Sequence, residues 1–334
     1  MIKTKAVIIL VLLIIAMVVQ KNAARGTDMG TCHFRNQSNK VLTVNDKAYK
    51  NEDSFRFVIE GQDVAEVEPI ISNDQLVDLR RQLISADTLY QEVLGLTSPL
   101  DKPRYQKAGY IRVIMATIKG NGLAYDEVMA DKALGSADCG INIKLSATLK
   151  ASNSTPAHEL FHLYQNSYFM FKNGWLTEGT ARWSESLIDK GMGRKISSSL
   201  PQSRDELVET MDMSYAASAM WTRLFQLVDD RKVFDMPTTV RNAYYIDGDS
   251  VIDDNKAYGI SFIKVLFEAL EEQSKQAAND RGWDVYNWKE SDQKSADNNT
   301  YVWKAVQNAV NKAVPKAQQS EELKRFISIS LSSS

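Results

Sequence analysis

A chain of 334 residues is long enough to bury a substantial hydrophobic core and to form one or two domains. Apolar residues make up 44% and charged residues 25%, the proportions of an ordinary globular protein, and 40 Lys and Arg stand against 42 Asp and Glu. With that balance and no run of basic residues, the sequence lacks the electrostatic footprint of a nucleic-acid-binding protein.

The N-terminus reads as a targeting segment. Met1 to Lys5 carries two lysines, and Ala6 to Val19 is a fourteen-residue apolar run. A bilayer-spanning helix needs about 20 residues, so the run fits the apolar core of a secretory signal, with Ala23 and Ala24 at a cleavage site. The other reading is an uncleaved anchor that holds the chain to a membrane. Under both readings residues 1–25 stand apart from the fold, and the rest is exported, secreted or periplasmic. Cys32 and Cys139 are the only cysteines. In an exported chain they can form one disulfide, or they remain two thiols. His33 beside Cys32 has no second ligand pair nearby. Asn36, Asn153 and Asn298 open Asn-x-Ser/Thr sequons.

Residues 26–54 are polar and turn-rich. Ser54 to Glu60 is aromatic and β-branched, which predicts a strand. Ser72 to Leu94 predicts a helix, opened by a Ser72/Gln75 capping box and closed before Gly95. Tyr110 to Ile118 predicts a second strand. Gly140 to Leu145 alternates Ile141, Ile143 and Leu145 with Asn142 and Lys144, the pattern of a half-buried strand. From Thr155 onward the chain reads as helices over 155–172, 177–190, 203–229, 257–274 and 301–314. The order is α+β: a small mixed sheet with one helix that carries the chemistry, then a mainly helical C-terminal part. The expected lobes are 26–172 and 173–334, with a cleft between them.

That chemistry sits at His158-Glu159-Leu160-Phe161-His162. Thr155 can cap a helix and Pro156 suits its first turn. One helical turn then separates His158 from His162, so both imidazoles can reach one ion, and Glu159 lies beside its open face. Asn173-Gly174 is expected to end this helix. Thr177 is expected to cap the next, which brings Glu178 back over the histidines. Two His and one Glu leave a fourth position for water, the ligand pattern of catalytic zinc.

The stretch from His158 to Glu185 resembles the active site of gluzincin metallopeptidases. Within it, Trp175-Leu176-Thr177-Glu178-Gly179-Thr180-Ala181, with Glu185 seven positions after Glu178, is similar to the aminopeptidase N family. The resemblance implies a zincin-like, two-lobed fold and Zn2+ held by His158, His162 and Glu178. It implies Glu159 as general base and Glu185 behind the site, although Glu185 can also be read as a surface carboxylate. Ser214 to Ala219 resembles the segment that supplies a catalytic tyrosine, which points to Tyr215; a core-packing role is the other reading. In gluzincins an edge strand just before the active-site helix holds the extended substrate, and Gly140 to Leu145 stands there. That family's upstream Gly-Ala-Met-Glu-Asn segment, which holds a substrate's free amine, has no counterpart before His158. Glu127 and Asp138 lie there without a motif. The expected activity is therefore hydrolysis of peptide or protein substrates as an endopeptidase. The alternatives are an aminopeptidase or a zincin-fold protein that binds without cleaving.

Overall fold

The computed structural model describes residues 71–131, 138–150 and 152–331, with short strands at 42–44, 47–49 and 57–60. The N-terminal segment 1–25, Cys32, His33 and Asn36 lie outside the described residues. Strands β1 (Leu42–Val44) and β2 (Lys47–Tyr49) pair antiparallel with each other. Strands β3 (Phe57–Glu60), β4 (Tyr110–Ala116), β5 (Gly122–Asp131) and β6 (Asp138–Ser146) form one mixed sheet in the order β3-β4-β6-β5. The first three strands in that order run parallel, and β5 is antiparallel at the edge. Among the described residues no helix is long and apolar enough to cross a membrane.

Alternation places the sheet. Ile111, Val113 and Met115 of β4 and Ile141, Ile143 and Leu145 of β6 are buried in one apolar core. The same core continues through Trp183, Phe225, Phe267, Val306 and Phe326 of the helical half. Helix α1 (Asn73–Thr88) starts at Ser72, whose hydroxyl accepts from Gln75 N at 3.1 Å. The reciprocal half of the expected capping box is not made. The Gln75 amide instead donates to Ala147 O and Leu149 O, tying α1 to the end of β6. A single π turn (Leu89–Val93) follows, and Gly95 leaves it at φ +68°, where a left-handed residue is needed.

Helix α2 (Thr155–Tyr168) carries the two histidines and is buried on nearly every side; only Thr155 and His162 are partly exposed. Ser154 is its cap position, one residue before the expected Thr155, and Pro156 lies in the first turn. The helix stops at Tyr168 because Phe169 turns extended (φ −143°, ψ 162°). Asn173-Gly174 therefore opens the next helix rather than closing this one. Helix α3 (Gly174–Ser184) begins before Thr177, so Thr177 is an interior residue whose hydroxyl donates to Asn173 O.

Two further expectations are corrected. The strand before α2 is not a sheet edge: β6 lies between β4 and β5, and β5 is the edge on that side. The alternation of β5 is broken by a bulge, because Ala124 faces Ile143 while Val128 faces Ile141. Asp126 in that bulge is bonded to Arg104 at 2.7 Å and Lys172 at 2.9 Å, and Arg104 also donates to Asn166 O of α2. The helix expected over 203–229 is three pieces: α4 (Arg204–Met211), a 3₁₀ turn (Tyr215–Ala217) and α5 (Ser218–Val228). The break falls at Ser214 (φ −119°, ψ −112°), which turns Tyr215 out of the helical line. Beyond it, α6 (Thr238–Arg241), α7 (Phe262–Arg281), α8 (Glu290–Gln293), α9 (Asn299–Ala313) and α10 (Glu321–Ser328) complete the helical half.

Helix α3 is seated by tryptophans. Trp175 stacks on Trp221 of α5 at 5.3 Å and 9°, and Trp221 Nε1 donates to Trp175 O. Gly179 lies flat on the same ring: a Cβ there would sit 2.7 Å from Trp221 Cδ1. Gly179→Ala must push α3 off α5, at a cost of roughly 1–3 kcal/mol by overpacking. Urea unfolding of the full chain is expected to show that loss, and an unchanged midpoint would contradict the close packing.

Candidate metal centre

His158, His162 and Glu178 meet at one point. One donor atom from each lies within 4.8 Å of the other two, and among the described residues no other group of this kind forms. Glu178 Oε2 is 3.2 Å from His158 Nε2 and 3.4 Å from His162 Nε2. The rings are 4.7 Å apart and nearly perpendicular, at 88°. The i, i+4 spacing on α2 and the return of α3 after the extended residues 169–173 produce this convergence.

Which nitrogen carries the proton follows from the partners. His158 Nδ1 is 2.7 Å from Glu185 Oε1, and a carboxylate accepts only, so Nδ1 carries the hydrogen. His162 Nδ1 is 2.6 Å from Gln165 Oε1. The orientation of that amide is set by its nitrogen, which donates to Thr177 O at 2.8 Å and Thr180 Oγ1 at 2.7 Å. Both Nδ1 atoms are therefore donors, and in the neutral rings both Nε2 lone pairs face the Glu178 carboxylate. Two imidazole nitrogens and an anion gathered in a half-buried pocket need positive charge among them, either a proton or a metal ion. This donor set can hold a metal ion. Tetrahedral zinc bonds near 2.05 Å would place neighbouring ligand atoms about 3.3 Å apart, close to the two separations of Glu178 from the histidines.

Glu185 is no surface carboxylate. It is 3% exposed, and its Oε2 accepts from Ser154 Oγ at 2.8 Å and Arg182 Nη1 at 2.7 Å. Burial opposes its charge, but the bond from His158 and the nearby cations hold it below the usual carboxylate range. Burial opposes the charge of Glu178 too, and its bonds to both histidines hold it far below that range.

Glu159 is buried beside β5. A Cβ on Gly122 would sit 2.6 Å from its Cγ, so glycine leaves the room it occupies, and the Ala124 backbone bonds its carboxylate. Burial, the largest influence, raises its proton affinity. Tyr215 covers the other side, its ring 5.7 Å from that of His158. Tyr215 is 51% exposed; burial and the nearby Glu178 carboxylate push its value up to about 12. The six expected residues, His158, Glu159, His162, Glu178, Glu185 and Tyr215, are thus gathered here. Glu127 is not in this group, and the side chain of Asp138 lies outside the described residues. Gln165 was missed by the sequence reading; its one local signal is the i+3 spacing from His162.

Comparison with family models, curated proteins and solved structures gave no match to this chain. What the site does must therefore be argued from its own chemistry.

The proton on His158 generates a direct prediction. Burial works against a charged ring, but its bonds to Glu178 and Glu185 outweigh burial and raise its value to about 9. In metal-free protein at pH 7 the ring is protonated, so an incoming divalent ion must displace that proton. Titration calorimetry in buffers of different ionisation enthalpy is expected to show release of about one proton per metal at pH 7. The release fades above pH 9, and affinity rises with pH up to that point. Release of no proton at pH 7 would contradict the geometry.

Proposed function

We propose that this chain is a zinc-dependent peptidase of the gluzincin class. The observation that carries this reading is the convergence of two fixed imidazole lone pairs and the Glu178 carboxylate on one point. Zinc fits the two-His, one-Glu set, and when bound it polarises a carbonyl and makes water a better nucleophile near neutral pH. Glu159 accepts the proton of the attacking water and passes it to the leaving amine. Burial raises its proton affinity, which suits a base working near neutrality. Tyr215, across the site, donates its hydroxyl hydrogen to the carbonyl oxygen as that oxygen gains charge.

Three further features support the reading. The sheet presents an antiparallel edge, β5, beside Glu159, and a peptide can lie along such an edge through main-chain hydrogen bonds. The ligand order, with two histidines on one helix and a glutamate on the next, agrees with a zincin fold. The lack of the amine-binding segment favours internal cleavage over aminopeptidase action. The apolar N-terminal run supports an exported protein, as does the lack of a free cysteine among the described residues, Cys139 included.

Glu159→Gln keeps the shape of the side chain and removes its basicity. The variant is expected to retain zinc and to lose nearly all cleavage of N-acetylated peptides from a mixed library. Tyr215→Phe is expected to lower kcat by about a hundred- to a thousandfold with little change in KM. Zinc-loaded wild type that cleaves no peptide would replace this reading with the binding protein. Cleavage confined to free N-termini would replace it with the aminopeptidase. An unchanged kcat in Tyr215→Phe would take the oxyanion role from Tyr215.

A further inference from the structure

Arg182 stands one turn beyond Glu178 on α3 and touches both residues that bracket His158. Its Nη1 donates to Glu185 Oε2 at 2.7 Å, while the other oxygen of that carboxylate accepts from His158 Nδ1. Its guanidinium carbon also lies 6.0 Å from the centre of the Tyr215 ring, whose other neighbour is the His158 imidazole. The Arg182 main chain is held as well. The chain passes it at Gly193 (φ +63°), where a Cβ would lie 2.2 Å from Arg182 O and 3.0 Å from Ser186 N.

Each of the two contacts restrains something that would otherwise move. A carboxylate bonded only to His158 and Ser154 can rotate, and the imidazole follows it. A tyrosine ring that is 51% exposed has little packing to define its rotamer, and a guanidinium against its face supplies a partner. The side chain of Arg182 is itself 35% exposed, so it is not part of the core.

We infer that Arg182 is a positioning residue that holds the His158–Glu185 pair and the Tyr215 ring in register with each other. It thereby sets the rate of the proposed peptidase. This rests on the peptidase reading only for its effect on rate; the effect on the His158 environment stands without it. An arginine anchoring a substrate carboxylate would instead act on KM.

The test uses the full chain with Arg182→Met, which keeps the stem and removes the charge and donors, and Arg182→Lys, which keeps the charge toward Glu185. Arg182→Met is expected to keep its metal and to lower kcat about tenfold, as loss of a residue behind a metal ligand does. KM is expected to stay within about twofold. Arg182→Lys recovers part of the rate, and in a Tyr215→Phe background Arg182→Met has a smaller effect than in wild type. Loaded with Co2+, the Arg182→Met protein is expected to show a shifted visible absorption band, because the orientation of His158 changes. An unchanged kcat with an unchanged cobalt band would overturn the proposal, as would a raised KM at constant kcat. If wild type cleaves nothing, the peptidase reading falls, and the cobalt band alone decides: a shift upholds the positioning role and no shift overturns it. If Arg182→Met fails to fold, Arg182→Lys carries the same comparison.

Discussion

Two hydrogen bonds fix the direction of everything at the centre of this molecule: His158 Nδ1 to Glu185 and His162 Nδ1 to Gln165. Each removes a tautomer, and together they point both Nε2 atoms at one carboxylate. Held apart in water, three such groups would not remain so close. Here they are pressed together by helices whose other faces are committed to the core, and a metal ion that enters takes the place of the proton on His158.

The fold supplies that commitment. Helix α2 is buried almost throughout, so its polar side chains need partners. Those partners come from elements that pack on it. Helix α3 provides Glu178, the carbonyl of Thr177 and the hydroxyl of Thr180. The turn after it provides Glu185. Seating α3 on Trp221 through Gly179 is thus part of building the site, because the same helix carries a ligand and the groups that orient Gln165. On the opposite side the bulged edge strand is tied to α2 through Asp126, Arg104 and Asn166, which keeps β5 beside Glu159. The site is therefore bounded by β5 on one side and by Tyr215, set on a broken helix, on the other.

The parts of this legible in the sequence are those set by local geometry. His158 and His162 share a face because of helical period alone, and Ile141, Ile143 and Leu145 share one because of strand alternation. Glu178 was legible because a short connection leaves α3 few ways to return. Where contacts come from far along the chain, reading failed. Strand β5 escaped because its bulge destroys alternation between Ala124 and Val128. The helix over 203–229 was drawn unbroken because nothing at Ser214 marks a stop, neither glycine nor proline. Gln165 reads as any polar helix residue until Thr177 and Thr180 come up beside it. Glu185 could be read as buried or exposed, and only the placement of Ser154 and Arg182 around it decides.

The claim beneath all of this is that the three converging donors hold a metal. Elemental analysis of purified full-length protein, beside His162→Ala prepared in the same way, tests it most directly. The account predicts about one zinc per chain in wild type and loss of it in the variant, because one of three ligands is gone. Equal zinc in the two proteins, or none in wild type under metal-replete conditions, would contradict it.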